Sequence, residues 1–275
     1  NNVNVSNLYK ISYPGYSEIF TGYADKLFIP NLAVNNPRSN ILQWLNNQPD
    51  YRGKVAAFCS WKVFPFILAE KGGQLAVNAG YEPLDENDST SAVINDVQEG
   101  IYEKNNTRHD MLTYECAKNY LQQHHPRILY MGLGETDEFA HHGNYDTYLQ
   151  KIRQADAMIA ELWYYVQTDP FYKNNTTFII TTDHGRGAKA ANWNSHGFWI
   201  KGSGQTWLAM LGPGVAAEGE NNKTQQVYQK QVAATVASLL GVQFTAKHRI
   251  GQPLAIVPVK PAEAICEVPS VIVSR

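Results

Sequence analysis

The chain has little cysteine, almost no net charge and no long apolar run. Its 275 residues include three cysteines, a small and odd number that does not suggest a scaffold held together by disulfides. The 23 basic and 25 acidic residues leave a net charge of −2, which argues against non-specific binding to nucleic-acid polymers or to anionic membranes. No apolar run approaches the ~18 residues that a membrane-spanning helix needs. These absences argue against a disulfide-stapled, a polynucleotide-coating and a membrane-spanning protein.

The sequence does contain enough apolar residues for a large core, arranged in alternating strand and helix patterns. Hydrophobic residues make up 44% of the chain and aromatic residues 12%. Strands alternating with helices predict a three-layer α/β/α fold, in which helices cover both faces of a mostly parallel sheet. We expect one domain over residues 1–275. The predicted strands are 54–60, 127–131, 177–182 and 207–211, and the predicted helices are 17–21, 40–46, 64–70, 109–123, 146–166 and 225–240.

Two stretches lack a regular pattern. Residues 72–92 contain Gly72, Gly73, Gly80 and Pro83 among Asp, Asn and Ser, a composition typical of irregular structure. We interpret this stretch as a lid or small insertion over the site. Residues 258–275 are interpreted as either a tail or an edge strand.

The most informative motif is Thr-Thr-Asp-His-Gly-Arg at residues 181–186. It directly follows the apolar run 177–180, so Asp183 and His184 lie where a buried strand opens to solvent. Gly185 and Gly187 allow the backbone to turn away sharply there. Open α/β sheets bind their ligands at such strand ends.

Three further metal-ligand candidates flank this motif. Asp137 and His141 form an Asp-x-x-x-His sequence after the strand 127–131, and His196 lies in Ser-His-Gly downstream. Each motif alone is weak, since an isolated Asp or His in a loop is more often a helix cap or a solvated side chain. Together, two Asp and three His in glycine-flanked segments form a mixed nitrogen and oxygen donor set that favours zinc, with manganese as the alternative.

These motifs resemble, in order and spacing, those of the alkaline phosphatase superfamily of metal-dependent hydrolases. The closest resemblance is to its nucleotide pyrophosphatase/phosphodiesterase branch, and it extends from about residue 11 to 253. The resemblance implies two divalent metal ions. The first would be bound by Asp137, His141 and His196, and the second by Asp183 and His184.

The resemblance also implies a nucleophile near the start of the chain. Residues 11–22 resemble the family's nucleophile segment, in which a Thr or Ser precedes an aromatic residue, Pro and a helix ending in Thr-Gly. Ser12 is the nucleophile in that register, with Ser17 as the fallback. A simple helix cap is the alternative role for Ser12. Pro14 fits the first turn of a helix whose N-terminus favours a phosphate.

Substrate contacts are predicted less directly. Gly15 stands where the phosphodiesterase branch carries an Asn that holds a phosphoryl oxygen, so that contact has to come from elsewhere or the substrate differs. Arg186 is a candidate for binding a non-bridging oxygen, and a surface arginine on a loop is the alternative. Lys189 and Trp193 precede His196 and are further candidates for substrate contact.

One departure from the family pattern concerns the N-terminal segment. The family's first strand ends in a metal-binding Asp, but residues 1–11 contain neither Asp nor Glu. We therefore expect the chain to lack that first strand, which would leave the second metal site short of a carboxylate. A degenerate, non-catalytic metal-binding domain is the alternative that this departure favours.

The resemblance implies hydrolysis of a small-molecule phosphoester through a phosphoseryl intermediate. A phosphodiesterase or nucleotide pyrophosphatase is favoured, and a phosphomonoesterase is the runner-up. Sulfatases of the superfamily need an Arg where this chain has Tyr16, which disfavours that activity. The resemblance further implies a periplasmic or extracytoplasmic location.

Overall fold

The computed structural model describes residues 3–27, 29–70, 74–85, 88–221, 225–255 and 270–274. Its strands form a six-stranded sheet and a small three-stranded sheet. The strands are β1 Val3–Asn4, β2 Val55–Cys59, β3 Ala76–Ala79, β4 Ile128–Gly132, β5 Thr176–Thr181, β6 Gln205–Thr206, β7 Leu208–Leu211, β8 Val227–Tyr228 and β9 Ser270–Ser274.

Helices connect most of these strands. In the described ranges no helix is both long and apolar enough to cross a membrane. The helices are α1 Ser12–Thr21, α2 Ile41–Asn46, α3 Phe64–Ile67, α4 Ser89–Glu99, α5 Asp110–His124, α6 Glu135–His141, α7 Tyr145–Thr168 and α8 Val232–Leu239, and a 3-10 turn spans Gln229–Gln231.

The large sheet has the order β3-β2-β4-β9-β5-β7, and all its pairings are parallel except that of β7 with β5. Every residue of β2, β4 and β5 is buried. Alternate residues of a strand face opposite sides of a sheet, and this divides the core in two. Val55 and Ala57 pack with α1, α2, α3 and α8, whereas Ala56 and Phe58 pack with α4, α5 and α7. The predicted three-layer α/β/α fold is therefore confirmed.

Residues 72–92 are more regular than their composition predicts. Strand β3 pairs in parallel with β2 at the edge of the large sheet, and α4 begins at Ser89 with the Asp88 side chain as its N-cap. The interpretation of this stretch as irregular was wrong for 76–79 and 89–92, because a four-residue edge strand gives too short a pattern to detect among turn residues. Residues 72–73 and 86–87 lie outside the described residues, and the lid remains a prediction.

The centre of the large sheet is filled by a strand from late in the chain. Strand β9 lies between β4 and β5 and runs parallel to both. Residues 270–274 are thus neither a tail nor an edge strand, and residues 258–269 lie outside the described residues. The early strand β1 belongs instead to the small sheet, between β6 and β8. No local pattern could reveal β9's position, because both of its neighbours are far away in sequence.

Candidate metal centre

The large sheet brings the two main motifs to one edge. Strands β4 and β5 both run parallel to β9, so their carboxyl ends lie at the same side of the fold. From that edge β4 leads to α6, which carries Asp137 and His141. Strand β5 leads directly to Asp183 and His184, which are both buried.

Asp137, His141 and His196 form the first group of donors. Asp137 and His141 are four residues apart on α6, a spacing that puts both side chains on one face of a helix. Asp137 Oδ2 lies 3.3 Å from His141 Nε2, and His196 Nε2 lies 2.9 Å from the same His141 nitrogen. One donor atom from each residue lies within 4.8 Å of the others. These three side chains could hold one metal ion.

Asp183, His184 and Ser12 form a second group that touches the first. His184 Nε2 lies 3.3 Å from Asp183 Oδ2 and 3.4 Å from the Ser12 hydroxyl. The His184 ring stacks on the His196 ring, with their centroids 3.8 Å apart. The structure therefore brings together the predicted nucleophile and all five predicted metal ligands.

Backbone carbonyls orient two of the imidazoles. The Nδ1 of His196 lies 3.1 Å from the Lys10 carbonyl, and the Nδ1 of His184 lies 2.9 Å from the Gly185 carbonyl. Each carbonyl can only accept, so Nδ1 is the donor in both hydrogen bonds and Nε2 is turned toward the cluster. Metal-binding histidines use their second ring nitrogen in this way. The geometry thus fits a divalent ion in the space between these side chains.

Burial and hydrogen bonding shift the pKa values of two of these rings in opposite directions. Burial, followed by the neighbouring His184, lowers the pKa of His196 to about 4. The hydrogen bond with Asp137 raises the pKa of His141 above its ordinary value. His196 is therefore neutral at pH 7, which is the form in which imidazole binds a metal.

Ser12 and Ser17 differ in their surroundings, although both are buried in α1. Ser12 is the first residue of the helix, and its hydroxyl faces His184. Ser17 is in the middle of the helix, where its hydroxyl accepts a hydrogen bond from the Asn36 amide at 2.9 Å. Ser12 alone of the two lies in the cluster.

The predicted substrate contacts have specific neighbours. A Cβ on Gly15 would overlap the carbonyl oxygen of Asp183, so glycine lets α1 approach the turn after β5. Arg186 donates from Nη2 to the Asp137 carboxylate, while its buried Nη1 makes no hydrogen bond within the described part of the chain. The substrate roles of Gly15 and Arg186 remain predictions.

Sequence reasoning missed a pair of buried carboxylates that fixes α6. Asp110 accepts hydrogen bonds from the backbone N–H of Gly134 at 2.7 Å and of Glu135 at 3.0 Å. In return, the Glu135 carboxylate accepts from the Asp110 N–H at 3.0 Å. Each residue thus caps the helix that begins with the other, and we call this pair the carboxylate clasp. The position of Asp110 at the start of the predicted helix 109–123 indicated a capping role. It did not indicate that the side chain caps α6 and not its own helix.

Charged neighbours extend the carboxylate clasp to α7. The Glu135 carboxylate lies 2.9 Å from Lys151 Nζ and 3.0 Å from His109 Nδ1. Burial alone would raise the pKa of Glu135, but these hydrogen bonds hold it below its ordinary value. For Asp110, burial dominates and raises the pKa to about 6. The helix that carries Asp137 is therefore tied to two neighbouring helices by charge and hydrogen bonds.

Asp and His donors, two of them buried, at the carboxyl edge of a parallel sheet are the arrangement of a metal-binding α/β protein. The family model of the Metalloenzyme superfamily matches residues 30–203, which is more than half of the chain and includes all five predicted ligands. The chain belongs to this superfamily, which includes alkaline phosphatase-like metalloenzymes. Membership supports metal-dependent catalysis and a bound metal ion. Comparison with curated proteins and with solved structures found no match.

We predict that Asp110→Ala weakens metal binding without removing a ligand. The substitution leaves the N–H groups of Gly134 and Glu135 without their acceptor, so Asp137 and His141 lose their fixed orientation. Loss of such a supporting residue costs about 10- to 100-fold in metal affinity. Competition with a zinc chelator measures the change.

Asp88→Ala is the matched control, because Asp88 caps α4 through the N–H groups of Thr90 and Ser91. It removes a helix cap of the same kind from a helix that carries no predicted ligand. Stability should fall in both variants, but metal affinity only in Asp110→Ala. Equal metal affinity in the two variants would contradict the supporting role of the clasp.

We also predict the metal content of the purified chain. Elemental analysis should give close to two zinc ions per chain, falling by about one in His196→Ala and by about one in His184→Ala. His142→Ala is the control, since His142 follows His141 directly but is exposed. One metal that is lost only in His196→Ala would leave the first group as the sole site. Unchanged content in His196→Ala would refute the ligand assignment.

Proposed function

We propose that the protein hydrolyses small-molecule phosphodiesters, in the manner of the nucleotide pyrophosphatase/phosphodiesterase branch, with Ser12 as the nucleophile. Two divalent ions, zinc or alternatively manganese, would assist. The observation that carries the proposal is the 3.4 Å approach of the Ser12 hydroxyl to His184, within a cluster that contains five metal-ligand side chains. A hydroxyl beside such donors is the arrangement that nucleophilic catalysis requires.

The two groups of donors divide the metal-binding role. Asp137, His141 and His196 would hold one ion, and Asp183 with His184 would hold the other. Bound divalent ions stabilise negative charge on phosphoryl oxygens and lower the pKa of a hydroxyl or water. The stacking of His184 on His196 supports two neighbouring sites, because it brings the two donor groups into direct contact.

Helix α1 would act on a bound anion through its dipole more than through the free N–H groups of its first turn. The Tyr13 N–H donates to Asn31 Oδ1 at 2.9 Å, and Pro14 has no N–H. The partial positive charge of a helix N-terminus nevertheless acts at Ser12, the first helical residue, and stabilises negative charge there. This favours ionisation of the hydroxyl and the approach of an anionic ester.

The charge around the cluster does not by itself separate a diester from a monoester. Arg186 contacts the cluster, but its guanidinium already pairs with the Asp137 carboxylate. A monoester carries about −1.5 to −2 charges at pH 7, whereas a diester carries a single negative charge. The two divalent ions would supply most of the positive charge that either ester needs, so the preference for a diester rests on the resemblance to the phosphodiesterase branch.

The relative rates of hydrolysis of a diester and a monoester test this proposal. We expect bis(4-nitrophenyl) phosphate to be hydrolysed with a kcat/KM at least about tenfold above that of 4-nitrophenyl phosphate, a difference of about 1.4 kcal/mol. Release of 4-nitrophenol measures both rates with the same leaving group. A faster reaction of the monoester would reverse the order and make the protein a phosphomonoesterase.

Substitution of the nucleophile gives an independent prediction. Ser12→Ala should lower kcat by at least about 10³-fold, because loss of a catalytic nucleophile removes the covalent route. Ser17→Ala is the control in the same helix, since its hydroxyl faces Asn36, and it should keep near-normal turnover. Metal content measured in both variants separates lost chemistry from lost binding. Wild-type turnover in Ser12→Ala would exclude Ser12 as the nucleophile.

A further inference from the structure

A buried acidic side chain on α1 holds the segment that precedes Ser12. The Glu18 side chain is fully buried, and its oxygens accept hydrogen bonds from the backbone N–H of Ser6 at 2.8 Å and of Asn7 at 2.8 Å. They also accept from the Asn7 side-chain Nδ2 at 2.9 Å and from the Lys230 N–H at 3.2 Å. Burial of an acidic group is costly unless such donors satisfy it. Glu18 therefore ties the early part of the chain to the helix that begins with Ser12.

Asn7 connects Glu18 to Lys10. The Asn7 side chain is buried; its Nδ2 donates to Glu18, while its Oδ1 accepts the Lys10 N–H at 2.8 Å. Lys10 has a φ of 53°, a left-handed conformation that residues with a Cβ rarely adopt. Such a conformation persists where neighbouring groups impose it. The Asn7 amide, which is fixed at both ends, helps to impose it on Lys10.

The Lys10 carbonyl in turn contacts the metal-ligand cluster. It accepts a hydrogen bond from His196 Nδ1 at 3.1 Å, while His196 Nε2 lies 2.9 Å from His141 Nε2. The His196 ring also stacks on the His184 ring. Stacking would survive a flip of the imidazole, but the hydrogen bond would not, because a carbon atom would then replace Nδ1. The hydrogen bond to Lys10 therefore determines which atom of the ring faces the cluster.

We propose that Asn7 is a positioning residue, which acts through the Lys10 carbonyl to keep Nε2 of His196 directed at the first metal ion. The inference rests on the ligand role that the proposed function gives to His196. Because Glu18 and Ser12 are on the same helix, the same contacts also hold this imidazole relative to the proposed nucleophile. They link two parts of the site that are far apart in sequence.

The proton on His196 Nδ1 reports on this arrangement directly. In the zinc-loaded full chain with isotopically labelled histidine, NMR should show a hydrogen-bonded Nδ1–H signal that is absent in His196→Ala. Asn7→Ala removes the acceptor of the Lys10 N–H but keeps the backbone N–H donors to Glu18. In this variant the signal should move upfield and exchange with water at least about tenfold faster, because the carbonyl that accepts the proton is no longer held in place.

Zinc affinity gives a second measurement. Competition with a chelator should show one zinc ion bound about tenfold more weakly in Asn7→Ala, the lower end of the range for residues that support a metal ligand. Asn7→Ser keeps an oxygen that can accept the Lys10 N–H and should lose less affinity than Asn7→Ala. Equal losses in these two variants would contradict the proposal, since the acceptor oxygen would then not be the cause.

Asn36→Ala is the matched control. Asn36 is also buried, and its amide likewise donates to α1, at the Ser17 hydroxyl, and accepts a nearby backbone N–H, that of Arg38. Neither contact leads to the metal-ligand cluster. Stability should fall in both variants, but the His196 signal and the zinc affinity should change only in Asn7→Ala. An unchanged signal in Asn7→Ala, or the same change in Asn36→Ala, would overturn the inference.

These measurements separate the inference from the proposed function. If no ester is hydrolysed but Asn7→Ala alters the His196 signal and the zinc affinity, the positioning role stands and the proposed reaction fails. If esters are hydrolysed but signal and affinity are unchanged in Asn7→Ala, the reaction stands and the positioning role fails. Unchanged zinc content in His196→Ala would overturn the ligand role on which both rest.

Discussion

The parallel direction of β4 and β5 is the constraint on which the site depends. With β9 between them, these strands are about 10 Å apart, since neighbouring strands are separated by about 4.8 Å. Their carboxyl ends face the same side, but donors directly at those ends would be too far apart for one ion. Helix α6 and the loop after β5 close this gap, because they turn His141 and His196 toward each other. The sheet determines at which edge the donors lie, and these two segments determine the distances between the donor atoms.

Bringing these polar groups together has an electrostatic cost that the surroundings partly offset. Burial lowers the pKa of His196, which favours its neutral form in contact with His141 and His184. The Asp137 carboxylate is balanced by the Arg186 guanidinium. The carboxylate clasp adds two negative charges nearby, and Lys151 balances one of them. With these charges balanced, the Asp137 carboxylate and the His196 imidazole are left as donors that suit a divalent ion.

The sequence predicted the layers and the donor set because both leave local signals. Buried strands such as β5 have apolar sequences, and the combination of several Asp and His residues in glycine-flanked segments after such strands points to metal ligands although each motif alone is weak. The helix around Asp137 and His141 was missed, since the glycines on either side suggested a loop. Strand β3 was too short to detect, and β9 is placed by contacts with strands that are far away in sequence. The clasp between Asp110 and Glu135 was missed for the same reason, as 25 residues separate its members.

The contact between Gly15 and Asp183 explains one departure from the phosphodiesterase pattern. Any side chain at position 15 would run into the Asp183 carbonyl, so an Asn here would push α1, and Ser12 with it, away from His184. The close approach of α1 that brings the hydroxyl to His184 is therefore incompatible with a polar side chain at this position. For the phosphoester substrate that we propose, a different group would have to bind the phosphoryl oxygen. Arg186 is the candidate, because its Nη1 makes no hydrogen bond within the described residues while Nη2 anchors it to Asp137.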